Sequence, residues 1–136
     1  LAGNENVRIV GDRFLLPSEL LFASASAELG EEGRQELDKL AKLLLDVSAK
    51  IPEDVDWILR IDGHTDILPI NTPRFPSNWE LSTARAVAVV RYLAAQGVPE
   101  RRMAAAGFGE FFPVAEGTSP EALQRNRRIE LKLTDR

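Results

Sequence analysis

Two stretches of this chain repeat apolar residues at helical spacing, and a strand-like stretch separates them. Leu37, Leu40, Ala41, Leu44 and Val47 make one apolar face, and Leu81, Ala88, Val89 and Tyr92 make another. Between them Trp57, Leu59 and Ile61 alternate with Arg60 and Asp62, the period of a strand. A one-sided helix is stable only where its stripe is buried, so this order calls for a sheet with helices laid on it. Further strands are predicted at residues 7–10 and 13–16, around a Gly11-Asp12 turn, at 103–108, and in "RRIELKL", where Ile129, Leu131 and Leu133 share a face. The fold class expected is α+β: an α/β sandwich with a mixed sheet and two long helices on one face. The opposite face would carry Arg60, Asp62, Arg128, Glu130 and Lys132, a set that predicts a wet surface.

The helix ends are marked in the sequence. Glu31 and Glu32 follow Gly30 in the first turn of the first helix, where the dipole favours anions, and Pro52 bounds its far end. Ser77 and Glu80 make the S-x-x-E capping box that starts the second helix, which Gly97 and Pro99 terminate. "SPEALQRN" predicts a short helix. A single domain over residues 1–136 is expected, with residues 1–20 as an N-terminal extension of strands. The start at Leu1, without a methionine, leads us to expect a piece of a longer protein.

Composition removes several function classes. With no cysteine there is no disulfide, thiolate nucleophile or cysteine metal site, and one histidine cannot build a multi-histidine site. The net charge is −4 and the basic residues are scattered, which argues against a nucleic-acid partner. No run approaches the roughly 18 apolar residues of a membrane helix. Gly107 and Gly109 flank Phe108 without a lysine or phosphate cradle after them, so turn geometry is the reading there.

The informative stretch is "GHTDILPINTPRFPSNWELSTARA", residues 63 to 86. Projected at about 100° per residue, Arg85 shares its arc with Leu81, Ala88, Val89 and Tyr92. A desolvated guanidinium requires a carboxylate or an equivalent set of acceptors. Asp66 follows the 57–62 strand at the same edge of the sheet, so the two charges can line one pocket. Two readings stay open: a structural Asp66–Arg85 salt bridge, or a site for a zwitterion, with an ammonium on Asp66 and a carboxylate gripped by Arg85. His64 lacks the partners of a general base and is assigned to fixing the loop by hydrogen bonds. Asp62 and Asp66 as a hydrolytic carboxylate pair would need one face, and alternation puts Asp62 on the polar side. Arg127 should point towards the helices or the pocket edge, and Arg128 towards solvent with Glu130. Trp79 reads as core or as a staple over the loop, and Phe75 as an exposed lip or a protein contact.

"IDGHTD", then "LSTARA", then "GFGE…P…RNRRIEL" resembles, in that order, the C-terminal peptidoglycan-binding domain of the OmpA and MotB families, from Leu21 to Leu133. The resemblance implies an OmpA C-terminal-like fold and a non-catalytic wall anchor without cofactor or metal. It gives Asp66 and Arg85 the task of holding meso-diaminopimelate of the peptidoglycan stem peptide. Thr65, Asn126 and Arg127 become further ligand-binding candidates, Asn126 also bracing a loop, and Gly63, His64 and Leu81 support the pocket. The chain departs from OmpA and Pal relatives at Phe22-Ala23-Ser24-Ala25-Ser26, where acidic residues are common. Either a ligand contact from that segment is missing, or hydroxyls of Ser24 or Ser26, or backbone, replace it. The proline-rich loop and "NWELS" look like MotB. A MotB-like parent implies a periplasmic domain, an inner-membrane anchor, a homodimer and a MotA-like channel partner. The alternatives are a general OmpA/Pal-like envelope anchor and, less favoured, a peptidoglycan-processing hydrolase.

Overall fold

The computed structural model describes residues 8–10 and 13–135. The elements run β1 (Arg8–Val10), β2 (Arg13–Pro17), α1 (Ser18–Leu21), α2 (Glu31–Ser48), β3 (Trp57–His64), α3 (Asn78–Ala95), a 3-10 turn (Glu100–Arg102), β4 (Met103–Gly107), α4 (Pro120–Asn126) and β5 (Arg128–Asp135). The strands form one mixed sheet in the order β1-β2-β5-β3-β4, in which β3 and β4 are parallel and the other neighbours antiparallel. The expected α+β sandwich is what forms. Val7 and the Gly11-Asp12 turn lie outside the described residues, and the short α1 has no counterpart in the sequence reading.

The helix α3 begins and ends as its sequence dictates. The Ser77 hydroxyl accepts the Trp79 N–H at 3.1 Å and also bonds the Glu80 carboxylate. At the other end Gly97 takes φ +107°, and the N–H groups of Gly97 and Val98 reach back to Ala94 and Leu93 carbonyls. Leu37, Leu40, Ala41 and Leu44 of α2 and Ala86, Val89 and Leu93 of α3 close over Leu16, Leu59, Ile61, Ile129 and Leu131 of the sheet. Val47, expected on the apolar face, is exposed near the end of α2.

Two glycines set how closely α3 lies on the sheet. Gly63 of β3 and Gly107 of β4 are register partners. A Cβ on Gly63 would stand 2.1 Å from the Ser82 carbonyl oxygen, and one on Gly107 would stand 2.7 Å from the Thr83 nitrogen. Gly107 therefore serves close approach, a correction to its reading as a turn residue. Gly109, at φ +60°, does turn the chain.

The second face of the sheet is not wet, contrary to expectation. Asp62, Arg128 and Glu130 are buried, and Arg60 and Lys132 are half-buried. Alternation assigned these residues to the right face, but it carries no information about what covers that face. The segment after β4 folds back over it: Phe108 stacks on His64 at 5.0 Å, the Arg60 guanidinium lies over the same ring, and Arg128 Nη2 donates to the Phe112 carbonyl. The charges then satisfy one another. Arg60 grips both oxygens of Asp62 at 2.8 and 3.0 Å, while Arg13 and Arg128 take the two oxygens of Glu130 at 3.0 and 2.6 Å. Burial raises the Asp62 carboxyl above its ordinary range despite Arg60, whereas the Arg128 hydrogen bond and charge outweigh burial at Glu130 and hold it low.

His64 sits inside this cluster, with Nε2 at 3.8 Å from Glu130 and Nδ1 without a partner. Burial first, and then the charge of Arg128, lower its pKa from 6.5 to about 4, so it is neutral at pH 7. It braces by stacking, not by the loop hydrogen bonds expected of it.

Gly63→Ala should lower stability by about 2–3 kcal/mol, since the obstacle is helix backbone. Gly30→Ala, with open space around the added carbon, should stay within about 0.5 kcal/mol of wild type. Urea midpoints compare the two, and equal values would refute the contact. For His64 the unfolded chain binds the proton near pH 6.5 and the folded chain only near pH 4. Its contribution to stability is therefore complete above pH 6.5 and is lost as pH falls towards 4. Melting temperatures taken from pH 7 down to pH 5 should fall more steeply for wild type than for His64→Phe, and parallel slopes would remove His64 from the cause.

Candidate functional site

The close seating of α3 brings its first turns against the chain leaving β3, and a cavity of about 580 Å³ opens between them. Thr65, Asp66, Leu68, Pro69 and Ile70 form one wall, Asn78, Leu81 and Arg85 of α3 another, and Ser18, Glu19, Phe22, Ser24, Ala25 and Arg127 complete it. Ala25 is at φ +55°, an uncommon conformation for a residue with a side chain, and it turns the 23–26 segment along the rim.

Asp66 and Arg85 line this one cavity, but no salt bridge joins them. Asp66 Oδ2 accepts from Arg127 Nη1 at 2.7 Å, and Oδ1 accepts from the Leu68 N–H at 3.0 Å. Arg127 also bonds the Glu19 carboxylate through Nε. Those two hydrogen bonds outweigh burial and raise the Arg127 pKa. Arg85 instead donates from Nε to the Ser26 carbonyl at 2.8 Å and from Nη2 to the Ala23 carbonyl at 3.2 Å, with its guanidinium over the Phe22 ring. Nη1 donates to no acceptor among the described residues. Burial lowers the Arg85 pKa, against the pull of Glu19 and Asp66. Of the two readings left open by the sequence, the direct Asp66–Arg85 pair is thus corrected: the partner of Asp66 is Arg127. The carbonyls of residues 23 and 26 are taken by Arg85, and only Ser24 of the two serines lines the cavity.

The other sequence candidates divide. Thr65 is buried at the cavity wall, its hydroxyl donating to the Asp66 carbonyl at 2.9 Å and its N–H to Gly109 at 2.9 Å. Leu81 packs with Ala27 and Phe75 in a small second core beneath the loop. Phe75 is therefore buried, not a lip, because residues 72–75 curl back on themselves through Thr72. Trp79, expected in the core or over the loop, is half-exposed and stacks on Phe111. Asn126 lies away from the cavity lining. Its amide closes on Val114 N, Ala115 N and Ala115 O at 2.8, 3.0 and 2.8 Å, so it braces the 114–115 loop and makes no wall of the site.

Glu19 and Asn78 were missed. Asn78 Nδ2 donates to the Leu68 carbonyl at 3.0 Å and to Glu110 Oε1 at 3.2 Å, tying the loop to the helix start. Its place directly after the cap Ser77 was the available signal. Glu19 gave none, since α1 itself was unforeseen. A metal fits poorly where ligand atoms do converge: Asp62, His64 and Glu130 lie within 4.8 Å of one another, yet Arg13, Arg60 and Arg128 already occupy their carboxylates. What the cavity can do is hold a small polar group with opposite charges, using acceptors at Asp66 and Glu19 and a donor at Arg85.

Comparison with known proteins shows what the chain resembles. The OmpA family model matches residues 21–127. Motility protein B of Helicobacter pylori is 30% identical over 122 residues, which is 89% of this chain and 45% of that protein. Its solved periplasmic domain superposes with a TM-score of 0.79 at 26% identity, over 95% of this chain and 80% of that one. A MotB-like protein from Desulfovibrio vulgaris gives 0.84 at 33% identity, over 96% and 82% of the two chains. The cell wall anchor of the T6SS from Pseudomonas aeruginosa gives 0.77 at 36% identity, over 96% and 87%. The chain spans about half the length of the curated relatives it matches first.

Proposed function

This chain belongs to the OmpA family, and on that premise we propose that its cavity holds the zwitterionic end of meso-diaminopimelate in peptidoglycan. The domain is a non-catalytic binding module. The observation that carries the reading is the state of Arg85: a buried guanidinium held by two carbonyls, with no carboxylate partner, in the same cavity as Asp66. A ligand carboxylate would take Nη1 and supply the missing countercharge. The ligand ammonium would then lie on the carboxylate of Asp66, beside Glu19, while Arg127 keeps its bonds to both. Thr65 shapes the loop that presents Asp66. Asn126 acts at a distance, through the 114–115 loop.

The anchored parent would be MotB-like, a membrane protein whose periplasmic domain grips the wall as a dimer while its membrane part meets a MotA-like channel subunit. Likeness to motility protein B and to a MotB-like structure supports this, as does the loop sequence from Pro69 to Trp79. No helix among the described residues is long and apolar enough to cross a membrane, so that part would lie elsewhere in the parent. The likeness to a T6SS wall anchor favours a second reading, in which the same cavity tethers another envelope machine. Each cavity is small and would grip its ligand through a few charged groups, so single-site affinity would be modest and repeated wall sites would supply avidity.

Purified domain should co-sediment with sacculi containing meso-diaminopimelate. Asp66→Asn and Arg85→Met, checked for folding by circular dichroism, should each weaken retention at least about tenfold, the scale of a lost charge-assisted hydrogen bond. Walls with lysine at that position, which lacks the second carboxylate, should be retained as poorly. Undiminished sedimentation of both folded variants would sink the proposal.

A further inference from the structure

The segment that folds back over the charged sheet face leaves a second cavity, of about 540 Å³, between itself and the end of β2. Antiparallel pairing sets Leu15 opposite Glu130 and Pro17 opposite Arg128, so both apolar side chains share the face of that charged pair. Val114, 43% exposed, lines the cavity from the loop, and Arg125, Arg127 and Arg128 line it from the end of α4 and the start of β5. Arg127 alone is shared with the first cavity. The volume falls within the range of about 300–1,000 Å³ typical of small-molecule sites.

We propose that this second cavity binds an apolar monoanion, a hydrocarbon or apolar peptide end that carries one carboxylate. Such a ligand is independent of the wall ligand and of the first cavity. Charge decides its sign and number. Arg128 is countered by Glu130, and Arg127 by Glu19 and Asp66, whereas Arg125 has no carboxylate partner among the described residues. One positive charge is left over at the rim, and one carboxylate balances it. Arg127 also retains an Nη2 without an acceptor among the described residues, since Nε and Nη1 are spent on Glu19 and Asp66. Guanidinium groups suit a carboxylate through paired hydrogen bonds.

Arg125 is exposed, so water screens it and it selects sign more than it adds affinity. Affinity comes from the walls, where Leu15, Pro17 and Val114 would cover the hydrocarbon. Those walls are built in advance. Buried Asn126 clamps Val114 N, Ala115 N and the Ala115 carbonyl. Arg128 is fixed by Glu130 and by the Asn126 and Phe112 carbonyls at 2.6, 3.2 and 2.9 Å. Asn126, which makes no wall of the first cavity, thereby holds a wall of the second. Little conformational freedom remains to be lost on binding.

The test follows backbone amide signals of the isotope-labelled domain by nuclear magnetic resonance. The probes are hexanoate, octanoate and octanamide, with N-acetyl-leucyl-leucine as a peptide end. Octanoate should saturate at millimolar concentration, with shifts centred on Val114, Gln124 and Arg125. It should bind about four- to fifteenfold more tightly than hexanoate, which is two methylenes shorter. Octanamide should bind wild type about three- to tenfold more weakly than octanoate does, and Arg125→Gln should weaken octanoate to the same extent. Val114→Asp, which sets a carboxylate against that of the ligand, should abolish the response. Circular dichroism checks the fold of both variants. The tighter of octanoate and the dipeptide identifies the source, hydrocarbon or peptide end. The site is refuted if no octanoate response saturates, or if octanamide binds as tightly as octanoate. It is equally refuted if the shifts centre on Thr65, Asp66 and Arg85 and persist unchanged in Arg125→Gln, since the first cavity then takes the probe.

Discussion

The seating of α3 on β3 and β4 is the contact on which the site depends. Register-paired Gly63 and Gly107 let helix backbone touch strand backbone, with no side chain between. With a larger residue at either place, α3 would stand off the sheet, and Asn78, Leu81 and Arg85 would move away from Thr65 and Asp66. The cavity is thus a consequence of two missing side chains some distance from its walls. The same approach lets Ser82 Oγ meet the N–H of Gly109 and Thr65 meet its carbonyl, so the loop after β4 is registered against the loop after β3.

Each sheet face solves a different problem. The helix side buries Leu59, Ile61, Ile129 and Leu131 and gains apolar burial directly. The other side buries Asp62, Arg128 and Glu130, for which desolvation is costly unless every charge is paired. Burial keeps His64 neutral there, and the three arginines facing two carboxylates act in the same direction. Such a network adds little net stability, but it fixes Phe108 and Phe112, and through them the loop that presents Glu110 and Phe111.

Most of the fold was legible in the sequence because it is written in periods. The alternation of residues 57–62 and 129–133 and the helical spacing of both long helices are local, and local patterns survive folding. What failed was inference about coverage. Arg128 was assigned to the correct face and the wrong environment, because the segment that buries it comes from a loop without periodicity. Phe75 and Trp79 exchanged their expected places for the same reason: residues 72–75 fold back into a small core, and only coordinates reveal that. Asp66 and Arg85, which line one cavity, could be singled out because a charge in a loop and a charge on an apolar arc are both anomalies. Glu19 sits in an ordinary-looking stretch and raised none.

The two arms of the cavity are not equivalent. Asp66 and Glu19 are already partnered by Arg127, so an arriving ammonium adds to a satisfied set. Arg85 has only neutral carbonyls, which satisfy its hydrogen bonds and leave its charge uncompensated. A buried charge without a countercharge is the more costly condition, so more of the binding free energy should come from the carboxylate than from the ammonium. With Asp66, Glu19, Arg85 and Arg127 summing to zero, a ligand carrying one charge of each sign enters without unbalancing the cavity. A ligand with ammonium alone would leave Arg85 as it was and add a further cation beside the half-buried Arg127. Discrimination between such ligands then arises from desolvation around Arg85 more than from any contact the ammonium makes.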